Sequence, residues 1–538
     1  MLDGHCMATV QTLEWLAAKQ YSAMLSLNLI PEHIQHLSTL PLTIRKKIVF
    51  YVQNAISLSP QPYHQQVLEE LASKGDVELE IEINDENNGS YGEKCKAIWF
   101  DLLKKCRYRR NRNGSTTVGI RLKELRARYW KHSLSKYLQD LSSLASLDLT
   151  GYSFSDADET MYVIAQSCPH LKKVNLSRCN TITDVGVFAL FSYCKKLENI
   201  KLAYAECITS AVLSKIILQC PEIKCVNVKG NTDMQTIAKS KFGLKDRGFV
   251  EINMKQVRGI SAHEINEIVS SSIDSLEILK MGDTNLDLKL LSPLLKSRLN
   301  EKTLPLQKLD ISWCEDCDAE SLIELIRLCP NLTTFKSRAC DYVTNDVVFE
   351  LATTCSSLEH VNIARCNCVQ DDAITLLAQN NSSTLSSLDI AWSKASDVSI
   401  KIVFGKCKKL CILNMEGCKS SDVAHIEALI VNAKALKHVS MAWVNSCDEK
   451  WAHKVVQLKP DLCIVDYYGE EIRGKEYLCS TNRSQGQSLL LENSMATAAS
   501  VKNEGCSKVL VARESSEGLS AGSIDYDTDY NDYSEDDF

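Results

Sequence analysis

The sequence predicts an α/β solenoid, in which short parallel strands stack into an inner sheet with helices outside, preceded by a small helical domain. Three observations carry this. First, the pattern Leu-x-x-Leu-x-Leu, with Ile, Val, Phe or Met as substitutes, begins at Leu144, Leu171, Leu197, Ile223, Phe249, Leu276, Leu306, Leu332, Leu358, Leu385, Leu410, Leu436 and Leu462, at steps of 25 to 27 residues broken by one step of 30. Second, Val174 with Leu176, Leu309 with Ile311, Val361 with Ile363 and Leu413 with Met415 alternate at period 2, as in a strand with one buried face. Third, apolar residues at helical spacing follow, as in Val185, Val187 and Leu190 or Ile374 and Leu377. A single strand-loop-helix unit cannot bury its apolar face, whereas stacked units bury one another's. The chain of 538 residues therefore divides into a helical N-terminal region (1–143), about thirteen repeats (144–470) and a polar C-terminal segment (471–538).

Composition sets the class. With 45% hydrophobic and 24% charged residues the chain is neither disordered nor fibrous as a whole. The start of the sequence has no basic segment followed by an apolar run and a small-residue cleavage site, and no stretch is apolar enough for a membrane span. The expectation is an intracellular protein, cytoplasmic and/or nuclear. Its 23 cysteines fit a reducing compartment, because they follow the repeat instead of a pairing scheme. Cys179, Cys314, Cys340, Cys366 and Cys418 lie eight residues after their anchors. Cys168, Cys194, Cys220, Cys329, Cys355 and Cys407 lie three before the next. Buried thiols at two fixed registers are packing residues with a weak hydrogen bond. Cys314 and Cys317 have CxxC spacing, but no second pair accompanies them, so no metal is expected there.

The unit from Leu171 to Val187, with Arg178-Cys179-Asn180 and Thr183-Asp184-Val185-Gly186, resembles the cysteine-containing leucine-rich repeats of F-box leucine-rich-repeat proteins. Residues Leu358 to Ala373 carry the pattern again. The resemblance covers about 330 residues of the chain. It implies a horseshoe with an inner parallel sheet, acting as the substrate receptor of a cullin-based ubiquitin ligase.

The flanks bear on the adaptor. Leu40-Pro41-Leu42-Thr43-Ile44, continuing to Val52, resembles the first helix of an F-box, where Pro opens the helix and apolar residues face a Skp-type adaptor. That assigns Leu40, Pro41, Ile44, Ile48 and Val52 to the adaptor face. The acidic run from Glu78 to Glu86 interrupts the F-box pattern. Leu25-Ser26-Leu27-Asn28-Leu29-Ile30, with Ile34, Leu37 and Leu40-Pro41, is similar instead to an elongin-binding box with a trailing cullin motif, although Ser26 stands where that family has Cys. Either motif falls near residues 22–57, and helices that simply cap the first repeat account for the same pattern. Between Lys104 and Lys131 eleven residues are Lys or Arg, a run that reads as a solvated face, a nuclear import signal or a phosphate contact. From Ser480 the composition turns to Ser, Gly, Asn and Ala, and the chain ends in an acidic, tyrosine-bearing tail.

In a stack, one offset from the anchor maps to one line across the sheet. Seven residues after the anchor stand Arg178, Tyr204, Trp313, Arg365, Trp392 and Trp443, bulky aromatic or cationic residues of the kind that dominate binding surfaces. With the neighbouring Arg338 they form the expected target-binding set on the concave face, for a protein target. Lys201, Asp310, Lys336 and Asp389 nearby are mixed in sign, which argues against a nucleic-acid groove. The longer unit from Leu276 to Leu306, with Pro293 and Pro305, is expected to loop over one edge. No phosphate-binding glycine loop or nucleophile elbow occurs, and His263-Glu264-Ile265-Asn266-Glu267 lacks the second His of a zinc protease. No catalytic residue, metal or cofactor is expected. The predicted role is a receptor subunit binding an adaptor, a cullin and a protein substrate; a scaffold unconnected to ubiquitin, nuclear and chromatin-associated, is the alternative.

Overall fold

The computed structural model describes residues 121–474 apart from short gaps (136–137, 140, 233, 235–246, 299–302, 420–422 and 446), together with parts of 37–117. Residues 1–477 form one unit, and the second, 478–538, lies outside the described residues along with the acidic tail. The elongin-like segment before Leu37 also lies outside them, as do residues 104–108, 111–115 and 118–120 of the basic run.

Among the described residues sixteen strands form one sheet whose order follows the sequence. Each of the thirteen predicted units contributes one strand of three residues, from Ser146–Asp148 to Cys463–Val465, all parallel. The middle residue of each strand turns inward: Leu309, Val361 and Leu413 are no more than 2% exposed, so the predicted inner face is the core. Full burial of such a side chain contributes about 1.5–3 kcal/mol, and strands only three residues long hold together because every unit is covered by two neighbours.

The helices start where polar side chains satisfy their free N–H groups, and the caps also bind successive units. The Thr183 hydroxyl accepts from Val185 N at 3.2 Å and in turn donates to Asp158 of the preceding helix at 2.7 Å. Thr209 repeats this with Ala211 and Asp184, and Ser396 with Val398 and Asp371. Each acidic residue thus serves the first turn of its own helix and fixes the next unit's cap.

Two features differ from the sequence reading. The region before Leu144, read as helical, supplies two more parallel strands, Glu78–Glu82 and Arg121–Arg126, and a small hairpin, Arg109–Arg110 with Thr116–Thr117, besides the helix Pro62–Ala72. The first five residues of the acidic run that broke the F-box pattern are the outermost of these strands, with Leu79 opposite Leu122. Charged residues alternating with apolar ones on an edge strand discourage further pairing. In the last unit the pairing slips by one residue: Cys463 faces His438, so Ile464 turns inward and Val465 does not. A one-residue slip exchanges the faces of every side chain in a strand. Glu471–Arg473 then closes the sheet as its antiparallel last strand.

The long unit between Leu276 and Leu306 contains a 3-10 turn, Leu288–Leu290, and a short helix, Ser292–Arg298, in place of one helix. Pro293 sits in the first turn of that helix, where its missing N–H costs nothing. This unit was expected to loop over one edge; its residues 299–302 lie outside the described residues.

Candidate recognition edge

Every non-glycine residue with a left-handed backbone among the described residues stands at one register. Tyr129, Arg178, Tyr204, Gln256, Asp283, Trp313, Ala339, Arg365, Trp392 and Trp443 have φ between 54° and 63°. Gly151, Gly230, Gly417 and Gly469 fill the same position in the remaining units, with φ from 65° to 89°. The position is seven residues after the anchor, three past the end of the strand. Here the chain leaves the sheet, and the left-handed turn lets the backbone continue its ladder: Arg178 N donates to Ala203 O at 2.7 Å, Trp313 N to Arg338 O at 2.9 Å and Trp392 N to Glu416 O at 2.7 Å. A left-handed L-residue costs about 1–2 kcal/mol, which this inter-unit hydrogen bond offsets.

A second column sets up the turn. Four residues after the anchor, Asp148, Asn175, Asn227, Asn253, Asp310, Asn362, Asp389, Asn414 and Asp466 accept a hydrogen bond from the N–H two residues on, at 2.9–3.3 Å. Asp310 and Asp389, read from sequence as surface polar residues, belong to this column. Asn and Asp two residues before a change of direction were the available signal.

The thiols complete the bend. The Sγ of Cys179, Cys314, Cys340, Cys366 and Cys418 donates to the carbonyl of Leu149, Met281, Ile311, Ser337 and Ile390 in the preceding unit, at 3.0–3.3 Å. Burial pushes Cys179, Cys366 and Cys418 each up to about 12. Such thiols are inert at neutral pH. Cys317 donates to Leu286 O at 3.3 Å, so each thiol of the CxxC pair serves a separate carbonyl.

The predicted target-binding residues therefore line the edge along which the strands end, not the open face of the sheet. They are not equivalent. Tyr204 is half-buried, flanked by Arg178 at 5.2 Å and Lys229 at 5.8 Å from its ring centroid, and its hydroxyl donates to Gln256 Oε1 at 3.2 Å. Its ring lies over Gly230, where a Cβ would meet it at 2.2 Å; Trp392 lies over Gly417 in the same way, at 2.5 Å. Part of the aromatic column is thus packing between turns. Trp392 remains 40% exposed and Trp443 57%, and Trp443 continues into Tyr467 and Tyr468 with centroid separations of 5.7 Å and 5.2 Å. Arg178 is exposed, while Trp313, Arg338 and Arg365 are half-buried.

Electrostatics along this edge are largely internal. Lys255 reaches Asp310 at 3.1 Å across the intervening unit, passing Gly282, where a Cβ would stand 3.4 Å from Lys255 Cε and 3.3 Å from Asp310 Oδ1. Burial pushes the Asp310 carboxyl upward, but Lys255, Lys336 and the Ser312 N–H outweigh it and hold the carboxyl below its ordinary range. Asp389 goes the other way: burial raises it to about 6 against the Ala391 N–H and Arg338.

At the other end, Ile48 and Val52 of the expected adaptor face are at most 1% exposed and belong to the core, as does Arg45, which donates to Leu40 O and Leu71 O at 2.9 Å and 3.1 Å. They hold the segment down and offer nothing to a partner in this conformation. Pro41 and Leu42 are exposed, and Leu40 and Ile44 half-buried. The spacing i, i+4, i+8 marked one helix face correctly as apolar without saying which side of it the chain itself covers.

A family model described as leucine-rich repeat matches residues 167–191. A curated relative, the BTB/POZ domain-containing protein FBL11 of Arabidopsis thaliana, is 26% identical over 200 residues, which is 37% of this chain and 19% of the relative. This chain thus aligns with about a fifth of that protein's length. Among solved structures, Rad7 in the yeast Rad7 and Elc1 complex is similar over 87% of this chain and 98% of that one, at 13% identity and a TM-score of 0.49. An internalin of Listeria monocytogenes is similar over 76% of this chain and 97% of its own, at 13% identity and a TM-score of 0.36. With the matched unit recurring through the parallel sheet and the cysteines bonded across successive turns, the chain is a leucine-rich-repeat solenoid with sequence similarity to FBL11.

Proposed function

We propose that this chain is the substrate-recognition subunit of a cullin-RING ubiquitin ligase of the SCF type, non-catalytic in itself. Its N-terminal segment holds a Skp-type or elongin-type adaptor and through it the cullin, and its repeats hold the protein target. The associated ligase then works by proximity. The observation that carries the reading is the left-handed ladder: a rigid edge that repeats one backbone geometry while varying the side chain is suited to recognising an extended protein surface, and its exposed members, Arg178, Trp392 and Trp443, are of the types that dominate such interfaces. The cysteine-containing repeat and the similarity to FBL11 support the ligase context. The cytoplasm or the nucleus is the expected site of action.

The test is capture of the purified chain by recombinant Skp-type and elongin-type adaptors. Binding to one of them, lost in Leu42→Asp with Ile44→Asp while the helical circular dichroism is unchanged, is the expected result. Ile48 is unsuitable for this purpose because its substitution would disturb the core. Failure to bind either adaptor would overturn the ligase reading and favour a scaffold unconnected to ubiquitin.

A further inference from the structure

Where the solenoid closes, the slipped register and the antiparallel last strand bring together side chains that the repeat elsewhere keeps apart. The slip turns Cys463 onto the outer face directly opposite His438. The closing strand pairs Cys463 with Arg473 and Val465 with Glu471, and because Ile472 packs inward against the core with Ile464, Glu471 and Arg473 project on the same outer side as Cys463. His438, Cys463 and Glu471 thereby present an imidazole nitrogen, a thiol sulfur and a carboxylate oxygen within 4.8 Å of one another, from three adjacent strands. No other group of three or more such side chains occurs among the described residues.

We propose that this cluster binds one divalent zinc ion, which clasps the closing strand to the last two units. A mixed nitrogen, sulfur and oxygen set suits zinc, a borderline-soft ion without geometric preference of its own, better than magnesium or calcium, which take oxygen ligands. Ligands about 2.0–2.3 Å from a tetrahedral ion stand roughly 3.3–3.8 Å apart, so small rotations about the side-chain bonds close the present separations. A thiolate and a carboxylate together neutralise a dication, with the Arg473 guanidinium as one further positive charge beside them. Arg473 Nη2 bonds Glu471 Oε2 at 2.7 Å, and Arg473 also bonds the Cys463 side chain, a contact that the ion replaces. On binding, the Cys463 thiol loses its proton to solvent and a sulfur–zinc bond forms; the fourth position takes a water. The clasp acts where it is needed, because the closing strand is three residues long and is paired on one side by the last unit.

The full chain, freed of metal with a chelator, is titrated with Co²⁺ and then Zn²⁺. The expected result is one equivalent of Co²⁺ with a sulfur-to-cobalt charge-transfer band, displaced by Zn²⁺. Cys463→Ser and His438→Ala each weaken binding more than about 100-fold, since even outer-shell changes at zinc sites cost 10–100-fold, while Cys411→Ser leaves it unchanged. In the unaltered protein, zinc also protects Cys463 from alkylation, a readout that needs no variant. Absence of a saturable equivalent, retention of the band in Cys463→Ser, or alkylation of Cys463 at the same rate with and without zinc would each overturn the proposal.

Discussion

At the scale of the residue, the edge of the sheet is a line of left-handed turns whose side chains were visible in the sequence but whose backbone was not. Position seven stood out as aromatic or cationic in six of the thirteen predicted units, and that composition pointed to binding. Left-handed geometry favours Gly and tolerates Asn or Asp, so Trp, Tyr and Arg concealed it. The glycines were the remaining clue, since Gly230 and Gly417 replace a bulky residue at the same register in a unit that follows an aromatic one. Gly230→Ala adds a methyl group both at φ +73° and 2.2 Å from the Tyr204 ring. Strain and overpacking together are expected to cost about 2–4 kcal/mol, read as a lower melting temperature, which Gly230→Ala with Tyr204→Ala partly restores. Lys255→Met removes the ion-pair partner of the buried Asp310 carboxylate and leaves it to Lys336 and the Ser312 N–H, a loss of at most about 3–5 kcal/mol, whereas Lys255→Met with Asp310→Leu is expected to recover most of it in the same melting experiment. Asp389 has the opposite sign. Its folded value of about 6 lies above the ordinary carboxylate range, so the fold binds the extra proton, and its contribution to stability is complete below the unfolded value and declines as pH rises through 6. Asp389→Asn should therefore flatten the fall in melting temperature between about pH 4 and about pH 6 and leave the protein no less stable at neutral pH; a steeper fall in the variant would refute this.

At the scale of the element, what was legible depended on whether the period held. Thirteen strands could be located because Leu-x-x-Leu-x-Leu keeps its step, and the cysteines took the two registers where a small buried donor fits. The strands at Glu78–Glu82 and Arg121–Arg126 were missed because their spacing to Leu144 does not match the repeat, and because Leu122-Lys123-Glu124-Leu125 sits within a run of cations that read as a surface. In the last unit, Ile464 and Val465 are both apolar, so the pattern could not choose between the two registers; closure by Glu471–Arg473, with Ile472 over Ile464, decides it. The thiols give this scale its own prediction. Under native conditions iodoacetamide should label the exposed Cys207 and Cys368, while Cys179, Cys366 and Cys418 react only after denaturation. Prompt native labelling of any of those three would show that the turns open far more readily than their hydrogen bonds imply.

At the scale of the whole molecule, strand order that never departs from chain order means that each unit touches chiefly its immediate neighbours. Among the described residues no strand returns to fasten one end of the sheet to the other. Drawn from its two ends in an optical trap, such a chain has no lock that must fail first, and it should peel unit by unit from a terminus. A unit of 26 residues releases on the order of 90 Å of extended chain while shortening the remaining stack by about 4.8 Å. The force trace is expected to be a staircase of near-equal small steps in place of one large rupture, and the rungs nearest the C-terminus should shift to higher force when zinc is added. For a protein read as the receptor of a degradation machinery, disassembly from either end is a mechanical property of its own: the array can lose terminal turns under load and keep the central ones in register.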